Sequence, residues 1–245
     1  MQTHQASPQE GGQPSPRARR VLTAFLLLLV AVFVGLGTWQ VQRLFWKLDL
    51  IARVDARVHA APVPAPAGPV DAAADEYRHV TATGLFEHDK TVLVQAVTER
   101  GAGFWVMTPL RADGARTILV NRGFVPADRS GADARLGSEL AAGPVTVTGL
   151  LRISEPGGGF LRANDPAADR WFSRDVVAIA AAKGLENVAP YFIDADATPN
   201  PGGLPVGGLT VVTFRNSHLV YALTWYALAV MSAFAAYSVH RRRFV

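Results

Sequence analysis

Six histidines, at positions 4, 59, 79, 88, 218 and 240, and no cysteine are the residues from which metal or haem chemistry in this chain must be built. No two histidines fall at a metal-binding spacing, and without thiolates a soft metal such as cuprous copper lacks its preferred ligand. Glu87-His88-Asp89 looks ligand-like. Adjacent strand residues point to opposite faces, however, and the trio lies between two β-rich runs, so a solvated turn is expected. Asp194 and Asp196 share a strand face and are assigned to a surface loop. The glycine runs Gly157-Gly159 and Pro201-Gly208 lack the Gly-Lys-Ser/Thr ending of a phosphate cradle, and no G-x-S-x-G elbow is present. An enzyme is therefore not expected.

His218 stands apart. It occupies the mouth of an apolar run, where an ionisable ring is costly unless it has a partner or a ligand. Its helical face continues through Tyr221, Ala222 and Trp225 at spacings of three and four. Neutral imidazole is a common haem axial ligand, and flat aromatic neighbours can pack on a porphyrin. The alternative is an interfacial histidine hydrogen-bonded to lipid headgroups or to Arg215 and Asn216.

The elements that position these residues begin with two uncharged runs, Val21 to Val41 and Leu219 to Val239, each 21 residues long. At a rise of 1.5 Å per residue either spans ~31 Å, enough to cross a bilayer. The first exceeds a signal-peptide core and lacks a cleavage signature, so it is read as a retained anchor. Arg17 to Arg20 and His240 to Arg243 flank the runs and place both termini in the cytoplasm, although Arg43, Lys47 and Arg215 lie close to the opposite side. Small residues recur in each run: Ala24, Ala31, Gly35 and Thr38 in the first, Ala222, Ala229, Ala233 and Ala236 in the second. Such stripes suit two facing helices.

After the first run a helical pattern continues to His59 and stops at Pro62, Pro64, Pro66 and Pro69, read as an extended linker. Short β-branched and aromatic runs follow: Tyr77–Phe86, Thr91–Val97, Phe104–Leu110, Arg116–Asn121, Val145–Ile153, Ala189–Ile193 and Thr210–Phe214. One helix interrupts them, Arg174–Lys183, with Ser173 as its cap and Gly184 at its end. The fold class is a membrane protein with two transmembrane α-helices and an intervening β-rich (α+β) extracytoplasmic domain, an antiparallel barrel or sandwich with one helix. Its organisation is a cytoplasmic tail (1–20), a first span (21–41), the extracytoplasmic domain (42–216, with a helix extension 42–59 and a Pro/Ala linker 60–74), a second span (217–239) and a basic cytoplasmic tail (240–245). The net charge of +4 is not gathered into a dense patch, so nucleic acid is not an expected partner.

Several stretches, taken in order, resemble the Surfeit locus protein one family. They are Gly37-Thr38-Trp39-Gln40-Val41-Gln42-Arg43, Val120-Asn121-Arg122-Gly123-Phe124-Val125-Pro126, Trp171 with Arg174-Asp175, Tyr191-Phe192-Ile193-Asp194-Ala195, and Pro201 to Thr210 leading into Arg215-Asn216-Ser217-His218-Leu219 and Thr224-Trp225-Tyr226. The similarity covers about residues 35 to 230 and is of the bacterial type. It implies an assembly factor for haem-copper cytochrome c oxidase in the cell inner membrane that binds haem a and assists its insertion into oxidase subunit I. The other reading is a scaffold that stabilises the subunit without touching haem. The implied partners are oxidase subunit I, haem A synthase and the lipid bilayer. His218 matches the histidine proposed as haem ligand, with Tyr221 and Trp225 beside it. Arg43 and Arg122 are weaker candidates for pairing with haem propionates.

Overall fold

Backbone amides in an uncharged apolar run have no water to turn to in lipid and must be satisfied within the segment, which a helix achieves. In this computed structural model, which describes residues 15–112, 116–131 and 143–241, helix α1 runs unbroken from Pro16 to Val58. Ser15 accepts the Ala18 amide at 3.3 Å, and Pro16, which has no N–H, sits in the first turn where an amide would lack an intrahelical acceptor. Residues 1–14 of the expected N-terminal tail and Arg242 and Arg243 of the basic C-terminal tail lie outside the described residues. Helix α4 covers His218–Arg241, and both helices are long and apolar enough to cross a membrane. The chain divides into two compact units, one formed by its two ends, through Ile51 and from Phe214, the other by Ala52–Thr213.

In the helical unit α1 and α4 pair antiparallel: Lys47 meets Phe214, Gln40 meets His218 and Phe33 stacks on Trp225. On α4 the inward positions Ala222, Ala229 and Ala236 recur every seven residues and are buried. The α1 seam advances by three and four through Leu26, Val30, Phe33, Gly37 and Gln40, none of them exposed and Gly37 buried. This is the repeat of helices crossing at about 20°. Of the small-residue stripe expected on α1, Ala24, Ala31 and Gly35 are exposed and off the seam, whereas Thr38, though exposed, reaches α4 through a 3.2 Å hydrogen bond with the Tyr226 hydroxyl; on α4 the expected Ala233 is exposed as well. Volume complementarity explains the α1 seam: the alanines of α4 accept the larger side chains of α1, so a second small stripe would leave voids. Gly37 is the exception that permits close approach, since a Cβ there would come within 2.8 Å of the Tyr226 ring.

The second unit is built on one sheet of strands β1 (Val63–Pro64), β2 (His79–Phe86), β3 (Val92–Thr98), β4 (Gly101–Ala112), β5 (Arg116–Pro126), β6 (Val145–Ile153) and β7 (Val188–Ala195). Its order is β1-β2-β6-β7-β5-β4-β3, and a further β2–β4 pairing closes β2, β6, β7, β5 and β4 into a five-stranded barrel. The expected barrel is thus present, but it is mixed: β5 and β7 pair parallel. Parity requires this, for a closed ring with an odd number of strands cannot alternate direction all the way round. Alternate residues of all five strands fill the interior, among them Val80, Ala82, Leu110, Ile118, Val120, Leu151, Tyr191 and Ile193. The opposite faces of β5 and β7 are buried too, Leu119 and Phe192 packing with Trp171, Val176 and Ile179 beneath a helix.

Three local readings are corrected. The proline-rich linker is bound to the barrel: β1 pairs with β2, the Ala65 amide donates to Thr81, and the Tyr191 hydroxyl donates to the Pro66 carbonyl at 2.8 Å. A short helix α2 (Ala72–Asp75) follows it. The later helix, α3, starts at Val176 and ends at Ala182, and its cap is Asp175, which accepts the Ala178 amide at 3.1 Å. Ser173 is engaged elsewhere, accepting from Gly158 and the Asn164 amide. The strand expected over Thr210–Phe214 is irregular. Gly123, in contrast, lies inside β5 with φ at 132°, because the Val206 backbone pairs across it with Phe124 and leaves no room for a Cβ.

Candidate functional site

Within the helical unit, the start of α4 sets His218 against α1. Its Nδ1 lies 2.7 Å from the Gln40 Oε1, and because a carbonyl oxygen only accepts, Nδ1 carries the proton. In the neutral form of the ring the other nitrogen, Nε2, is then the one with the lone pair, and it has no hydrogen-bond partner among the described residues. An imidazole whose outer N–H is tied to a carbonyl is oriented for ligation, the usual support for a metal-binding histidine. Its backbone N–H is close to the Asn216 Oδ1 at 3.4 Å. Trp225, two turns further, stacks on Phe33 with ring centroids 5.6 Å apart. Arg43 lies with its guanidinium 4.8 Å from the Trp46 ring, one turn beyond Gln40, and Lys47 sits a turn beyond that.

Of the expected site residues, the structure therefore gathers His218 and Trp225 on the helix seam and places Arg43 on the exposed side of α1 nearby. Tyr221 is more than half exposed, on the outer side of the pair. Arg122 belongs to the other unit. Sequence reasoning missed Gln40 and Phe33, whose signal is the three-and-four repeat running through α1. The donor chemistry fits haem: one imidazole nitrogen open for ligation, aromatic rings beside it and cationic side chains for carboxylates. Among the described residues no three acidic or histidine side chains form a cluster that could hold a metal ion.

In the barrel unit, Arg122 continues the inward face of Ile118 and Val120 and is 4% exposed at the barrel mouth. Its guanidinium lies 4.9 Å from the Phe86 ring, its Nη1 is 3.3 Å from the His88 Nδ1, and its Nη2 donates to the Asn200 Oδ1 at 3.2 Å. These residues line a cavity of about 440 Å³ whose remaining walls are mostly apolar, including Val120, Val145 and Val147. The Glu87-His88-Asp89 segment is a turn as expected, and Asp89 is exposed; Glu87 and His88 are half-buried, Glu87 tied to Lys90 and Arg111 and His88 facing Arg122.

Asp194 is the larger correction. Rather than lying on a surface loop, it is 3% exposed near the end of β7 and accepts from Asn121 at 2.7 Å, Arg152 and Arg174 at 3.0 Å, and the Thr210 hydroxyl at 3.0 Å. Asp196 lies just past the strand and accepts the Thr198 amide. Arg174 also pairs with Glu155; burial opposes its charge, but Asp194 and Glu155 outweigh this and raise its pKa further. The cluster joins four chain segments to one carboxylate, which is a structural role.

Comparison with known proteins gives one family. Residues 27–230 match the model of the SURF1 family. The mouse protein "Surfeit locus protein 1" is 39% identical over 237 residues, covering 89% of this chain and 76% of its own length. The human protein of that name is 40% identical over 228 residues, 85% and 74% of the two chains. A "SURF1-like protein" of Drosophila melanogaster is 35% identical over 233 residues, with 87% and 75% covered.

Proposed function

Since the chain belongs to the SURF1 family, we propose that it is a membrane-anchored assembly factor, not an enzyme, for haem-copper cytochrome c oxidase, holding haem a at the mouth of its helix pair and assisting its insertion into oxidase subunit I. The observation that carries this reading is the His218–Gln40 hydrogen bond, which leaves Nε2 of the imidazole available as an axial ligand. Trp225 and the exposed Tyr221 offer flat surfaces for a porphyrin, and Arg43 offers a cation for a propionate. When bound, haem supplies the redox-active iron that the oxidase uses; this chain's part is to bind, orient and release. Haem A synthase and subunit I are the proposed partners on either side of that step. The apolar outer faces of α1 and α4, such as Leu28, Val32, Val230 and Phe234, suit lipid contact. In the proposed topology the β-barrel unit is extracytoplasmic and both termini are cytoplasmic, in the cell inner membrane.

The test is the absorption spectrum of full-length protein purified from cells that make haem a. Wild type is expected to carry haem, and His218→Ala to lose at least ten-fold of it with the β unit still folded. Equal haem in both removes the ligand assignment. Co-purification with subunit I from cells unable to make haem a, together with haem-free wild type, would establish the scaffold role in its place.

A further inference from the structure

Gly159 and Arg162 exchange both backbone hydrogen bonds, each at 3.0 Å, so Phe160 and Leu161 form the two-residue tip of a hairpin. Both tip residues have positive φ, 54° and 58°. That is the geometry of the primed turn, which Asn-Gly normally supplies and which strains a leucine or an aromatic residue. Packing within the chain does not offset the strain: Leu161 is fully exposed and Phe160 more than half exposed. The next residue, Arg162, rests its guanidinium 5.5 Å from the Phe172 ring and makes no ion pair among the described residues.

We propose that the Phe160-Leu161 tip is a lipid-inserting finger, with its two apolar side chains entering the interfacial layer of a bilayer and Arg162 meeting an anionic headgroup. Two features favour lipid over a protein partner. A stable protein interface buries roughly 800 Å² on each side, far more than two side chains can supply. Shallow insertion needs only a few apolar groups beside a cation, and even weak lipid affinity suffices for a unit already tethered through both its ends. The proposal rests on the reading that α1 and α4 span a membrane.

The chain has no cysteine, so single labels report cleanly. Full-length protein in nanodiscs of mixed phosphatidylcholine and phosphatidylglycerol would carry an environment-sensitive fluorophore at Leu161→Cys, with Leu28→Cys as lipid reference and Arg100→Cys as water reference. The Leu161 label is expected to shift to the blue and to be quenched several-fold by spin-labelled lipid, more strongly as the anionic fraction rises. Quenching by aqueous iodide as strong as at position 100 overturns the finger, as does shielding that depends on protein concentration and not on lipid. A Leu28 label untouched by spin-labelled lipid overturns the membrane reading itself, whereas failure at Leu161 alone leaves that reading standing. A Phe160→Asn/Leu161→Gly variant is expected to raise the melting temperature of the β unit by roughly 3 to 8 °C as the strain is relieved. An unchanged or lower value overturns the argument from strain.

Discussion

The hydrogen bond that the His218 Nδ1 donates to Gln40 favours the tautomer in which Nε2 carries the lone pair. Gln40→Leu should keep the helices paired but weaken haem binding by about 10- to 100-fold, read by titrating haem into the apo-protein and following the absorbance. At the barrel mouth, burial raises the Glu87 pKa, but Lys90 and Arg111 outweigh it and hold the carboxyl below its ordinary value of 4.5. A depressed pKa contributes stability that is complete above the unfolded value and lost as pH falls through the folded one. Glu87→Gln should therefore lower the melting temperature at neutral pH, with the gap to wild type closing as the pH falls below the ordinary carboxylate value. His218 was legible from sequence because it is an ionisable residue at the edge of an uncharged run. Gln40 was not, because a polar residue at the end of an apolar run is ordinary until a partner 178 residues away is placed against it. Asp194 misled for a related reason: a carboxylate near a strand end reads as surface unless its two arginines are known to converge there.

Most strands were legible because alternation and β-branching are local properties. Their partners were not, since direction in a sheet is a property of the whole ring; the number of strands requires one parallel pair, and nothing in either strand marks it as β5–β7. The run Thr210–Phe214 has a strand's composition, yet its first hydroxyl is committed to Asp194, and no described strand pairs with it. Ser173 and Asp175 both suit a helix cap, and only the Asn164 and Gly158 contacts of Ser173 decide between them. At this scale the buried carboxylate can be tested. Asp194→Ala leaves Arg152 and Arg174 facing each other in a site that is mostly enclosed, relieved only by Glu155 and Glu76. Removing one partner of a buried ion pair typically costs about 3 to 5 kcal/mol, and the lower end is expected here; chemical denaturation followed by tryptophan fluorescence would measure it.

In the molecule as a whole, the two ends of the chain make one unit and everything between them makes the other. Composition foretold that split, because apolar residues crowd the termini and glycine-punctuated runs fill the middle. It did not foretell that the linker would bind the barrel, because prolines forbid a helix but not an edge strand. The division also orders events in time. Gln40 emerges from the ribosome early and His218 only after all seven strands have been made, so the hydrogen-bonded pair cannot exist on a nascent chain still completing its barrel. Any chain terminated between them carries a sheet without the proposed haem site, so on that proposal competence to bind haem would report that synthesis has run past the last strand.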